Sequence, residues 1–395
     1  MSGIHPILYI NSVTGVGGAE LSLVELAIHL DQREFSPYLL TSGIGQLSNR
    51  FIQSCFPVFY SSFPFFSRKR PWIYWKSIFN IIRIIKRHQI SLIHVNCDTA
   101  IPHAWTSSFL TRVPVLCNIH DMDRAWHSPK YVNYLNKCTR IIADSQATAR
   151  HCVSSGMKPE KIQVIYECFD MENFLNIPDS SRSELRKEWH LSQDDIAIGL
   201  VGQILPHKGH KEFIEAAATV ANNCPNTKFF IVGDDAISKN KEFLPSLHKL
   251  LDTLSLNNKF IFCGFRPDIP TIMAALDILT VPSWKEPFGR VVVEGLAARL
   301  PVVASNTGGI PEIIQSEEDG ILLPPRNPEA LAQALIYLCR NPQIRIQIGF
   351  KGPEIAKRFD VHSHAEQFEN TYRAILSGKI ANLPLVPFGE PTWLD

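Results

Sequence analysis

Apolar residues along the chain follow two rhythms. Short continuous runs at Ile7 to Ile10, Tyr38 to Thr41, Leu92 to Val95, Val113 to Ile119 and Arg140 to Ala143 alternate with segments whose apolar positions recur every three or four residues, the first reaching about Leu30. Unbroken apolar runs suit strands buried on both faces, so the alternation predicts βαβ units and a parallel sheet. A polar, charge-mixed stretch from Asp179 to Asp195 interrupts the pattern. It then restarts at Ile196 to Val201, Phe229 to Val232, Phe260 to Cys263, Ile278 to Val281, Pro301 to Ala304 and Ile321 to Leu323. The reading is an α/β chain with one domain over 1–185 and a second, with its own sheet, over 186–362. Beyond it, Phe368, Tyr372 and Ile375 stand at helical spacing within Ser363 to Leu376, and Pro384, Pro387 and Pro391 mark an irregular end. There is no internal repeat and no low-complexity tract.

Composition agrees with two cores, since 395 residues at 45% apolar content exceed what one core usually fills. The net charge of +1 argues against nucleic acid as a partner, because duplex binding normally leaves a basic excess. Nine scattered cysteines form no C-x-x-C pair and read as buried thiols of a reducing compartment. No basic stretch followed by an apolar core opens the chain, and no run reaches roughly 18 apolar residues, so the expectation is a cytoplasmic protein without a membrane span.

Several segments carry chemistry. Gly15-Val16-Gly17-Gly18-Ala19-Glu20 lies between a strand and a helix, where glycines let the backbone approach a phosphate and a helix N-terminus offers unpaired N–H groups. A dinucleotide fingerprint would need a third glycine at Glu20 and an acidic residue closing the second strand, where Thr41 and Ser42 stand instead. A tight strand-to-helix turn with no ligand remains the plain alternative. In the second half, Val201-Gly202-Gln203-Ile204-Leu205-Pro206-His207-Lys208-Gly209 sets Lys208 at the carboxyl end of a strand, the edge where open α/β sheets bind ligands. A lysine there neutralises a diphosphate leaving group as a point charge; solvation alone is the other reading. Glu286-Pro287-Phe288-Gly289-Arg290-Val291-Val292-Val293-Glu294 places two glutamates eight positions apart around a loop-to-helix corner. That corner offers charged acceptors for sugar or ribose hydroxyls and N–H groups for phosphate oxygens. Thr307-Gly308-Gly309-Ile310-Pro311-Glu312 repeats the scheme, with ordinary first-turn stabilisation as the alternative for Glu312. Asp121-Met122-Asp123 spells a D-x-D pattern suited to a divalent cation, or a capped loop.

Taken together these residues resemble the group 1 retaining glycosyltransferases of the GT-B fold. The resemblance spans nearly the whole chain and rests on Gly17 and Gly18, His120-Asp121, Ile142-Ala143-Asp144-Ser145, Lys208-Gly209, the E-x7-E spacing of Glu286 and Glu294, and Gly308 to Glu312. It implies two Rossmann-like domains facing across a cleft, the second holding a nucleotide sugar, the first an acceptor, and a C-terminal helix (about 363–395) crossing back to the first. It also implies roles. Glu286 would hold the hydroxyls of the donor sugar and Glu294 those of the ribose, with the backbone of Phe288 and Gly289 near sugar and phosphate. Lys208 and Gln203 would face the diphosphate, Gly17 and Gly18 would close on it, and His120 would contact the sugar near the reacting carbon. Retention would proceed on one sugar face, the leaving diphosphate helping to deprotonate the acceptor, so that neither a covalent nucleophile nor a flanking pair of acids is called for. No metal and no other cofactor are implied. The chain departs from the family where Gln203 replaces a usual arginine and where Glu167-Cys168 replaces a common Asn-Gly. The implied reaction is transfer of a hexose-type sugar from a UDP- or GDP-sugar to a glycan, glycolipid or lipid-linked acceptor. A non-catalytic nucleotide-sugar-binding relative, an epimerase and a phosphorylase are the competing readings.

Acceptor chemistry has its own signal. Between Phe51 and Phe79 the chain mixes Phe51, Phe56, Phe59, Phe63, Phe65, Phe66, Trp72, Trp75 and Phe79 with Arg68-Lys69-Arg70, and Lys76, Arg83, Lys86 and Arg87 follow. Such mixing suits a peripheral contact with the inner membrane face. The competing expectation is that the aromatics are core and the cations solvated, on a helix from Trp72 to Arg87 with one buried face.

Overall fold

The computed structural model describes residues 3–122, 128–236, 238 and 240–380. The irregular end expected around Pro384 to Pro391 lies outside them. The chain divides into two compact units, one running to Cys168 and resuming at Val361, the other Phe169–Asp360.

The first unit is built on a seven-stranded sheet of β1 (His5–Asn11), β2 (Phe35–Thr41), β3 (Val58–Tyr60), β4 (Leu92–Val95), β5 (Val115–Ile119), β6 (Arg140–Ala143) and β7 (Ile162–Val164). All pairings are parallel, in the order β3-β2-β1-β4-β5-β6-β7. Strands covered on both faces read as near-continuous apolar runs, and Ile7, Leu8, Tyr9 and Ile10 are all fully buried. The edge strands β3 and β7 are three residues each and carry no pattern of their own, which is why the periodicity passes over them.

The second unit repeats the plan with β8 (Ile196–Val201), β9 (Thr227–Val232), β10 (Phe260–Gly264), β11 (Ile278–Val281), β12 (Val302–Ser305) and β13 (Ile321–Leu323). The order is β10-β9-β8-β11-β12-β13, again all parallel. In each sheet the order reverses beside the first strand, and the carboxyl ends at such a switch point are where open α/β sheets bind ligands. The glycine turn follows β1, His120 follows β5, Lys208 follows β8 and Glu286 follows β11.

The boundary between the units falls at 168, ahead of the 185 expected from the charge-mixed stretch. That stretch forms a helix, Asp179–Glu188, fastened to the second unit by two arginines. Arg182 and Arg186 reach Asp277 at 3.2 and 2.9 Å, and Arg186 also donates to the Asp195 carbonyl at 2.7 Å. Asp277 in turn accepts the N–H of Ala197 on β8. The polar positions that looked like a linker are thus the hydrogen-bonding side of a docked helix.

The last helix, Val361–Leu376, returns to the first unit as expected. Its buried positions Ala365, Phe368, Tyr372 and Ile375 join Ile7, Tyr9, Leu23, Leu26 and Phe35 in one core cluster. The Tyr372 hydroxyl lies 2.6 Å from His94 Nδ1 and 3.2 Å from the Tyr9 hydroxyl, so the hydroxyl this helix carries into the core is paired.

Candidate active site

In the second unit the corner after β11 is organised around Glu286, whose side chain is buried. Lys208 Nζ donates to both carboxylate oxygens at 3.0 and 2.8 Å, and Ser283 Oγ donates to Oε2 at 3.0 Å. A charge taken out of water needs such partners, and here a cation and a hydroxyl supply them. Two glycines make the approach possible. Gly209 has φ +78, and a Cβ on it would meet the Pro282 carbonyl oxygen at 2.1 Å, so only glycine lets the lysine loop pass the β11 loop. Gly308 has φ +57 and would press a Cβ to 1.8 Å from the Glu286 carbonyl oxygen. Gly309 N–H donates to that same oxygen at 3.0 Å. The Trp284 N–H donates to the His207 carbonyl at 2.7 Å, tying the two loops together.

Gly289, at φ +105, caps the helix Arg290–Ala297, and a Cβ built on it would lie 3.5 Å from Glu286 Cγ. Phe288 is buried, its ring 5.2 Å from the ring of Phe359. Glu294, on that helix, accepts from Arg290 Nε at 2.9 Å. Gln203 is half-buried in the loop after β8, upstream of Lys208. The structure therefore gathers Lys208 and Glu286 into direct contact and sets Glu294 one helix length from them in sequence. Ser283 was not singled out by the sequence; three residues before Glu286 on a loop, it carries no signal until the loop is folded.

In the first unit the glycine turn does open a helix, Gly18–His29. The donor at its N-cap is engaged by the chain itself. The Gly17 N–H donates to Glu20 Oε2 at 2.9 Å, and Asn11 Nδ2 holds the other Glu20 oxygen at 3.3 Å. The residue that breaks the dinucleotide fingerprint is therefore a capping carboxylate, and the Gly17 N–H, the donor offered there to a phosphate, already has an anionic partner.

His120 stands at the end of β5 between two oxygens, Glu167 Oε1 at 2.7 Å from Nδ1 and Asn96 Oδ1 at 2.8 Å from Nε2. Burial pulls its pKa down and the Glu167 hydrogen bond and charge, with Asp144 and Glu20 behind, pull it up; the net direction is up. Neither Asn96 nor the role of Glu167 was anticipated. Glu167 did register as a departure from the family pattern, whereas Asn96 carried no signal. Among the described residues, His120, Asp144 and Glu167 are the group whose ligand-type atoms lie within 4.8 Å of one another. A metal takes a lone pair from imidazole, while the 2.7 Å contact here spends Nδ1 on a hydrogen bond to the carboxylate. Of the D-x-D pair, Asp123 lies outside the described residues.

Comparison with known proteins adds the following. The family described as "Glycosyl transferases group 1" matches residues 181–354, and "Glycosyltransferase Family 4" matches 16–173. An uncharacterized glycosyltransferase of Methanocaldococcus jannaschii is 27% identical over 58% of this chain, which spans 63% of that relative's length. The UDP-Gal:alpha-D-GlcNAc-diphosphoundecaprenol alpha-1,3-galactosyltransferase of Escherichia coli is 23% identical over 75% of this chain and 79% of its own. HepE of Anabaena, solved with UDP and glucose, superposes with a TM-score of 0.84 at 28% identity, covering 93% of this chain and 99% of its own.

Proposed function

The chain belongs to the group 1 glycosyltransferases with the GT-B fold, and from that premise we propose that it is a retaining transferase moving a hexose-type sugar from a UDP-sugar to a lipid-linked or glycan acceptor. The observation that carries this reading is the Lys208–Glu286–Ser283 cluster at the carboxyl edge of the second sheet. It offers what a nucleotide sugar needs, a buried carboxylate to accept sugar hydroxyls and a cation for the diphosphate. In the reaction the C1–O bond to phosphate breaks and a C1–O bond to the acceptor forms on the same face, while the acceptor proton passes to a diphosphate oxygen. Lys208 balances the charge that develops on the leaving group, Glu286 orients the sugar and Glu294 the ribose. Gln203 contributes a neutral contact to the diphosphate, and Gly17, Gly18 and His120 belong to the surface that meets donor phosphate and sugar. UDP is favoured over GDP because HepE is solved with UDP and glucose and the Escherichia coli relative is named for UDP-Gal.

A panel of UDP- and GDP-sugars, scored by thermal stabilisation and by nucleotide diphosphate release, tests the reading. One UDP-sugar should raise the melting temperature and be turned over slowly by water, with the product first formed keeping the anomeric configuration of the donor. Binding without any diphosphate release would turn the assignment to a non-catalytic relative, and an inverted product would remove retention.

The acceptor part rests on the aromatic and basic segment. Phe51 is core, as the competing expectation held, but Phe65, Phe66, Trp72, Trp75 and Phe79 are exposed. The helix Pro71–Arg87 buries Tyr74, Ile78, Ile81 and Ile85 on one side and carries Trp72, Trp75, Lys76, Phe79 and Arg83 exposed on the other. Arg68, Lys69 and Arg70 are exposed beside it. No helix among the described residues is long and apolar enough to cross a membrane. We place the acceptor's membrane at this surface. Each surface cation is worth about 1 kcal/mol toward an anionic leaflet, so neutralising Arg68, Lys69 and Arg70 should cost on the order of 10²-fold in partition. Flotation with phosphatidylglycerol-containing vesicles measures this; equal flotation with pure phosphatidylcholine would remove the surface from the proposal.

A further inference from the structure

We infer that Glu167 and Asn96 form a clamp that keeps the His120 ring doubly protonated, making Glu167 a positioning residue that fixes His120 as a hydrogen-bond donor and denies it the part of general base. This deepens the reading of His120 as a sugar contact and rests on it.

Asn96 Nδ2 donates to the Ala19 carbonyl at 3.3 Å and Asn96 Oδ1 accepts from Asn118 Nδ2 at 3.3 Å, so the Asn96 amide is oriented from two sides. Its oxygen, not its nitrogen, therefore faces His120 Nε2 at 2.8 Å. A flipped amide would point its oxygen at the Ala19 carbonyl and its nitrogen at another amide nitrogen. On the far side of the ring, Glu167 Oε1 lies 2.7 Å from Nδ1, and Ser22 Oγ donates to Glu167 Oε2 at 3.3 Å, which pins the carboxylate in turn. Each ring nitrogen thus meets an oxygen that can only accept. A neutral imidazole would leave one lone pair against one oxygen; the cation satisfies both.

The surroundings favour the same state. Glu167 follows β7, Asp144 follows β6 and Glu20 lies on the helix Gly18–His29, and all three carboxylates act on His120. Against them stand His94 on β4, which burial keeps neutral by pushing its pKa down to about 3, and His364 on the last helix, whose Nδ1 pairs with the Tyr166 carbonyl at 2.7 Å. His120, Asp144, Glu167, Ser22 and His364 line one small cavity of this unit. A ring in this state exchanges Asn96 Oδ1 for a hydroxyl or phosphate oxygen of the donor by donating Nε2–H, and Glu167 holds Nδ1 throughout. It has no lone pair with which to take the acceptor proton, consistent with that proton leaving on the diphosphate.

Nitrogen-15 NMR of histidine-labelled full-length chain, with the His120 signals found by difference from a His120→Asn variant, reads the protonation state directly and without turnover. Both nitrogens should show protonated shifts, with a midpoint above the ordinary 6.5. In Glu167→Gln that midpoint should fall by a pH unit or more, and the alkaline limb of the transfer rate should move down with it, because activity tied to the cation is lost as pH rises through the ring's pKa. A wild-type midpoint at or below 6.5, or one unmoved in Glu167→Gln, would overturn the clamp. A chain that turns over no nucleotide sugar yet shows the doubly protonated ring overturns the transferase reading and leaves the clamp standing.

Discussion

Replacing Glu286 by glutamine is expected to lower kcat by about 10² to 10³, the loss typical when one preorganised group aimed at the reacting centre is removed. Glutamine keeps the length of the side chain and discards its charge. In the free chain the Glu286 carboxylate is buried and takes both Lys208 contacts and the Ser283 hydroxyl. When a donor binds, the diphosphate gives Lys208 a second anion, and the carboxylate is freed to accept sugar hydroxyls in charge-assisted bonds, roughly twice as strong as neutral ones. The neutral amide oxygen of glutamine accepts hydroxyls only in ordinary hydrogen bonds, and its NH2 group donates where a carboxylate oxygen would accept. Steady-state diphosphate release checks the prediction, together with far-UV circular dichroism to confirm that the variant is folded. A Glu286→Gln enzyme within about threefold of wild type, when one positioned group is worth about 10² or more, would mean that the sugar is held elsewhere. Loss confined to KM would instead mark Glu286 as a uniform binding residue.

Truncating Phe368 to alanine is expected to destabilise the first unit by about 3–5 kcal/mol, the usual range for a fully buried phenylalanine. Phe368 is 1% exposed. Its ring stacks on His94 at 5.3 Å and sits 5.8 Å from Tyr372, whose hydroxyl reaches back to His94 and Tyr9. The substitution therefore opens a cavity and also loosens a buried polar cluster. The effect should appear in the first unit even though the residue lies beyond the whole second unit in sequence. Urea unfolding followed by hydrogen exchange at β1 and β4 measures it. A change under about 1 kcal/mol, well below the range for emptying a buried aromatic site, would show that the last helix is an accessory cover and no part of the core.

How far these residues could be read in advance depended on what each one needs. Long β-strands such as β1 and β8 are covered on both faces, so their burial writes itself into an unbroken apolar run. The three-residue edges β3 and β7 need only a neighbour's backbone, and nothing in Val58-Phe59-Tyr60 or Ile162-Gln163-Val164 sets them apart. Gly209, Gly289 and Gly308 were legible because a positive φ or a close backbone approach restricts a position to one residue type. Glu286 and Lys208 were legible through their place after parallel strands, at the edge where such sheets bind ligands. The charge mixture at 179–195 misled, because solvated linkers and docked helices share that composition, and only the partners of Arg182 and Arg186 tell them apart.

By itself, then, the order of residues determined two parallel α/β sheets and set Lys208 and Glu286 in loops that follow their strands, since each of these constrains residue type locally; the return of the last helix was an expectation from the family resemblance. Only the tertiary structure decided which charges meet: that Lys208 lies on Glu286, that Glu20 caps the turn at Gly17, and that Glu167 and Asn96 close on His120 from strands far apart in the chain. The physical reason is that a carboxylate, an amide or a hydroxyl finds its partner through space. Hydrogen-bond geometry is specific to a few tenths of an ångström, and no periodicity in sequence encodes it.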